Sequence, residues 1–78
     1  MWHVNIPNRL KVAVTKFPRN DADLVFAALR EMRIDPSGGE VYALGSETYY
    51  RVVSRYLIFF DLIPSDHVVN VVAIERPH

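Results

Sequence analysis

Trp2-His3-Val4-Asn5-Ile6 alternates large apolar and polar side chains and stops at Pro7, the pattern of a short half-buried strand. From Pro7, a residue suited to the first turn of a helix, the period changes. Leu10, Ala13, Val14 and Phe17 fall at helical spacing, while Arg9, Lys11 and Lys16 point elsewhere. This predicts a basic amphipathic helix ended by Pro18. Asn20, followed three residues later by Asp23, resembles a capped start with acids near the positive end of the helix dipole. A second helix is expected from there, with Leu24, Val25, Ala28, Leu29 and Met32 as its core stripe. Arg30, Glu31 and Arg33 would face solvent, until Asp35-Pro36-Ser37-Gly38-Gly39 breaks the helix and leaves a hairpin of two.

From Val41 onward β-branched and aromatic residues dominate, so strands take over. Residues 41–44 form a strand candidate, 45–47 a turn, and 48–62 a long apolar stretch. As one strand this stretch would span about 50 Å at roughly 3.3 Å per residue. A globule of this length has a radius of gyration near 11 or 12 Å and is about 30 Å across, so the stretch must bend. The expected place is Val53-Ser54-Arg55, although no glycine supplies an easy turn there. Residues 63–66 read as a hairpin loop, and 67–74 run back antiparallel. These last two strands are apolar on both faces and should be central, with the helices on one side. The order β-α-α-β-β-β-β makes one α+β domain over 1–78, a helix hairpin on a mostly antiparallel sheet.

Composition adds limits. The 78 residues are 50% apolar and 23% charged, with nine bases, nine acids and no cysteine, so stability rests on apolar packing without disulfides. No run reaches the roughly 18 to 20 apolar residues of a membrane span, and the start has no signal-peptide pattern, so a cytoplasmic protein without membrane contact is expected. The net charge of zero divides unevenly. Residues 1–19 carry Arg9, Lys11, Lys16 and Arg19 with no acid, residues 20–47 carry six acids against two bases, and the remainder is balanced. Neutrality therefore leaves room for a local basic patch.

Several chemistries lack their motifs. His3, His67 and His78 show no metal-ligand spacing, no phosphate-binding glycine loop precedes a helix, and no serine has a nucleophile-elbow context. No metal or cofactor is expected. What remains is a set of arginines, tyrosines and one terminal histidine on strands. Cleavage of RNA by its own 2′-hydroxyl needs a base, an acid and a cation for the phosphorane charge, and such groups supply these without metal. If the hairpin turns tightly at 64 and 65, residue 55 faces about 74. Arg55 and Arg76 then flank one end of the sheet, with Tyr56, Arg51 and the tail carrying His78 nearby. The alternative, that these arginines pair with Glu75, Asp61 or water, stays open at this point.

The pattern as a whole resembles the RelE/ParE superfamily of type II toxin-antitoxin toxins. The resemblance rests on Lys16-Phe17-Pro18, Ala27-Ala28-Leu29-Arg30-Glu31-Met32 before Asp35-Pro36, Tyr50-Arg51-Val52, Arg55-Tyr56-Leu57-Ile58-Phe59-Phe60 and Val71-Val72-Ala73-Ile74-Glu75-Arg76, in that order. It implies a growth-inhibiting toxin neutralised by a cognate antitoxin, whose flexible segment orders on the toxin. RelE-like members cleave mRNA on the ribosome without metal. In that reading Arg76 and Arg51 stabilise the scissile phosphate, and His78 or Tyr56 donates the proton. Arg55, with the basic Lys11, Lys16 and Arg19, holds RNA. ParE-like members bind DNA gyrase and are not nucleases. Val53 and Leu57, standing where RelE-like nucleases often carry bases, and the ParE-like run Arg55-Tyr56-Leu57-Ile58-Phe59-Phe60 fit that alternative, and an inactive family member is the remaining one.

Overall fold

A computed structural model describes residues 1–77. The chain runs β1 (His3–Asn5), α1 (Asn8–Thr15), α2 (Arg19–Glu31), β2 (Glu40–Ala43), β3 (Thr48–Val53), β4 (Tyr56–Ile63), a 3-10 turn at Pro64–Asp66 and β5 (Val68–Glu75). One sheet has the order β1-β5-β4-β3-β2, with β1 parallel to β5 and every other pair antiparallel. The protein is thus α+β, two helices on a five-stranded mixed sheet. The two apolar strands β4 and β5 lie inside it, as their two-sided hydrophobicity requires.

The long apolar stretch does bend, since its extended length exceeds the longest dimension of 35 Å. Val53 pairs with Tyr56, so Ser54 and Arg55 form a two-residue loop, and Ser54 adopts φ 56° in the left-handed region. Hairpins of this length need a positive φ to match strand twist, and here serine takes the position that glycine usually fills. The next loop is wider than the tight turn expected. Its 3-10 turn ends in left-handed His67, at φ 53° and ψ 47°. The ladder then breaks register between Phe59 and Phe60, where Val71 and Ala73 are the partners and Val72 is left over. Residue 55 therefore does not face 74. Leu57 pairs with Glu75, and one further step brings Arg76 alongside Tyr56.

The helices cover one face of the sheet. Leu10 and Val14 of α1 and Val25, Ala28, Leu29 and Met32 at α2 pack on Tyr56, Ile58 and Phe60 of β4 and Val69 and Val71 of β5. Each large side chain so enclosed stabilises the fold by about 1.5 to 3 kcal/mol. Two expectations about α2 need correction. It starts at Arg19 behind Pro18 with no side-chain cap, so Asn20 is not the cap. Leu24 is 50% exposed and does not belong to the core stripe, whereas Asp21 and Ala22 are buried. The uncovered face presents Tyr42, Tyr50 and Phe59 side by side, with ring centroids 5.3 and 5.8 Å apart. Beside them Thr48 donates to Asp61, and Asn5 to Asn70.

Relieving the left-handed strain should be measurable. Ser54→Gly is expected to raise stability and Ser54→Val to lower it, each by about 1 kcal/mol, read from chemical denaturation midpoints at constant slope.

Candidate functional site

Tyr56, the first residue of β4, points under the helix hairpin and is 1% exposed. Its hydroxyl donates to Asp21 Oδ2 at 2.9 Å, and its ring stacks on Phe17 at 4.5 Å. Arg55 Nε approaches the same carboxylate at 3.8 Å, its side chain 55% exposed. Burial first, and then the hydrogen bond and charge of Asp21, push the Tyr56 phenol above its ordinary range, while Arg76 and Arg55 pull the other way. These contacts gather three segments at one end of the molecule: the α1–α2 connection, the β3–β4 loop and the end of β5. Lys16 and Arg19 flank Phe17 in sequence and are exposed, as are Arg55 and Arg76. The result is a basic end surface over an internal Tyr56–Asp21 anchor.

Arg51 lies elsewhere. It pairs with Ile58, two ladder positions from Tyr56, and its side chain is 10% exposed on the helix-covered face. One guanidinium nitrogen, Nη2, donates to Glu31 Oε2 at 2.6 Å, at the far end of α2 from Asp21. The ten residue steps from Asp21 to Glu31 place the two acids about 15 Å apart along the helix. Gly39, at φ 80°, lies against the guanidinium so closely that a Cβ would come within 2.9 Å of it. Nη1 is buried with no hydrogen-bond partner among the described residues.

The sequence-predicted site thus divides. Arg55 and Arg76 meet at the exposed end with Tyr56. Two placements bear on the expected roles. Arg51 is enclosed and occupied by Glu31, and Tyr56 has its proton on Asp21 with its oxygen out of solvent, so neither group, as placed, reaches a ligand at this surface. His78 falls outside the described residues. Lys11 is at a different place, on the rim of a cleft between the hairpin and β1 that Arg30 and Arg33 also line. Among the described residues no group of three His, Cys, Asp or Glu side chains converges as metal ligands, and no helix is long and apolar enough to cross a membrane. No family model matches the chain, and no curated protein matches it.

Sequence reasoning missed Asp21, yet the signal was present. Asp21, Val25, Ala28 and Met32 follow helical spacing, so an acid sat on the apolar stripe of α2. Phe17 was read as a core residue, without its stacking on Tyr56.

Chemically, the end surface offers three exposed guanidinium groups, those of Arg19, Arg55 and Arg76, of a kind that can hold anions through paired N–H donors. Asp21 orients Arg55 and offsets part of its charge.

The internal anchors yield two expectations. A raised phenol pKa means that the folded state holds the proton more tightly than the unfolded chain. Its stabilisation is complete below about pH 10 and is lost as pH climbs through the folded value. Tyr56→Phe should therefore flatten the alkaline decline of stability, leaving the part that comes from Tyr42, whose phenol is also raised by its bond to Glu40. At the other end of α2, Glu31→Ala strands the Arg51 charge and should cost about 1 to 3 kcal/mol in denaturant unfolding. The lower part of that range is expected, because Glu31 is itself 63% exposed.

Proposed function

We propose that this chain is a growth-inhibiting toxin of the RelE/ParE kind that engages RNA on the ribosome through its basic end surface. The observation that carries the reading is the convergence of Arg55 and Arg76 beside Tyr56, from two segments that the family resemblance singles out. The α+β order, with a helix hairpin on antiparallel strands, is compatible with it. In this mechanism Arg76 and Arg55 hold the scissile phosphate and stabilise the charge that grows on it as the neighbouring 2′-hydroxyl loses its proton and attacks, closing a 2′,3′-cyclic phosphate while the bond to the 5′-oxygen breaks and that oxygen leaves protonated. Tyr56 and Asp21 position Arg55 rather than exchange protons with RNA. Proton transfer would fall to His78, two residues after Arg76 in the sequence, and the ribosome would align the strand. A neutralising antitoxin would cover this end.

A second reading has its own observation. The uncovered sheet face pairs the aromatic row Tyr42, Tyr50 and Phe59 with Glu40, Asp61 and Glu75, a surface suited to protein contact and poor for phosphate. This favours a ParE-like toxin that binds gyrase without cleaving RNA.

Induction in bacteria separates the two. The nuclease reading expects growth arrest, with cuts in translated mRNA by primer extension that fall about a hundredfold or more for Arg76→Ala, the loss typical of removing one electrostatic donor. Arrest with intact mRNA and blocked supercoiling by purified gyrase, sensitive to Tyr50→Ala, would establish the alternative. Unaltered growth would remove both.

A further inference from the structure

The groove beside β1 holds a group of cations that the proposed function does not use. Its floor is Val4 and Ile6 from the first strand segment and Phe26 and Leu29 from α2, with Leu29 buried and the Phe26 ring half-buried. Lys11 of α1, Arg30 near the end of α2 and Arg33 just beyond it stand at the edge, and His3 adds an imidazole. Among the described residues no acid lines the groove. The ion pairs of those residues are Arg51–Glu31 and Arg55–Asp21, so Lys11, Arg30 and Arg33 have no carboxylate within pairing distance. The enclosed volume is about 310 Å³, at the low end of the range in which proteins hold small molecules.

Two backbone contacts set the arginines. The Arg33 amide donates to the Arg30 carbonyl at 3.2 Å, and in a turn closed by such a bond residues three apart lie one above the other. The Arg33 carbonyl accepts from the Trp2 amide at 2.8 Å, which ties this turn to the chain entering β1. Arg30 and Arg33 thus line one cavity from the same side of the helix end, and Lys11 reaches it from α1.

We infer that this groove binds a small phosphate monoester with an aromatic or apolar body, its phosphate on Arg30, Arg33 and Lys11 and its body on Val4, Ile6 and Phe26. A monoester carries about 1.5 to 2 negative charges at pH 7 and three strong acceptor oxygens, so a single group answers several cations. A carboxylate or a backbone phosphodiester brings one charge. Guanidinium forks match phosphate oxygens in pairs, and an ammonium adds a point charge. The apolar floor accounts for the body, since inorganic phosphate would leave it uncovered. The volume sets the size, that of an aryl phosphate or a mononucleotide. The inference does not depend on the toxin reading, because Arg55, Tyr56 and Arg76 do not line the groove.

The test is a titration of the full-length, isotope-labelled protein, followed by nuclear magnetic resonance. The probes are phenyl phosphate and adenosine 5′-monophosphate, with inorganic phosphate and adenosine as references. Expected are shifts centred on Val4, Phe26, Leu29, Arg30 and Arg33 with both monoesters, and an affinity about tenfold or more above that of either reference, weakening as salt rises. Arg30→Gln with Arg33→Gln should lower that affinity about tenfold or more, as the loss of hydrogen bonds between charged groups does. Both arginines are exposed, so the thermal transition should survive the change. Lys11→Gln, on the other helix, should also weaken binding and gives the comparison if the double variant unfolds. Absence of shifts at these residues would overturn the inference. So would equal binding of adenosine and its monophosphate, binding of inorganic phosphate as tight as that of the monoesters, or undiminished binding in the folded variants. Larger shifts here with a uridine oligonucleotide lacking terminal phosphates than with either monoester would overturn it in favour of an RNA strand.

Discussion

Among the described residues, the two charged side chains that the fold buries, Asp21 and Arg51, both lie between α2 and the sheet, one toward each end of the helix. Apolar burial is non-directional, and the stripe of Val25, Ala28, Leu29 and Met32 would tolerate α2 in more than one rotation or register over β4. The polar contacts do not. A one-residue shift turns α2 by about 100° and takes Asp21 from Tyr56 and Glu31 from Arg51, leaving buried groups without partners at about 1 to 3 kcal/mol each. The two contacts therefore fix the angle and height at which α2 sits, and the unfavourable alternatives contribute more to this than the net strength of the bonds.

Both surfaces described above depend on that placement. At one end, Asp21 holds Tyr56, Phe17 closes over its ring, and Arg55 is oriented at the edge. The basic end surface is the outer side of this anchor. On the flank of the same helix, Phe26, Leu29, Arg30 and Arg33 face β1, whose own position is set by the Trp2 amide donating to the Arg33 carbonyl and by pairing with β5. A displaced α2 would close or widen this groove. Gly39 belongs to the same account, because the chain leaving α2 passes against the Arg51 guanidinium where no Cβ fits.

The order of elements was legible from hydrophobic period alone, and so was the bend at Ser54, because chain length against globule size left no other solution. Details that depend on tertiary contact were not. The place of Asp21 on the stripe of α2 was visible, but its role depends on Tyr56, 35 residues away in sequence. Arg51 sits in a strand whose two faces are both apolar, so alternation could not tell which side it occupies, and the structure puts it inside. The register of Arg76 was displaced by the 3-10 turn and by the bulge at Val72, neither of which has a glycine or proline signal of its own beyond Pro64. The placement of Arg55 and Arg76 at one end of the sheet was thus legible, while the groove around Arg30 and Arg33 had no one-dimensional signature, since its walls come from three elements.

Charge was the feature that seemed least informative, and folding gives it direction. Over a body 35 Å long, with a screening length of about 8 Å at physiological salt, the net charge matters less than each patch. The described bases lie on the helix side and at the end of the sheet, whereas the uncovered face holds Glu40, Asp61 and Glu75 with no Lys or Arg along its strands. A polyanion laid across that face would meet acids and aromatic rings. In the proposed RNA reading, the strand would therefore approach end-on, along Arg55, Arg76, Arg19 and Lys16. The open sheet stays free for a partner whose contacts are apolar or basic, so the fold can serve two kinds of ligand without either crossing the other's surface.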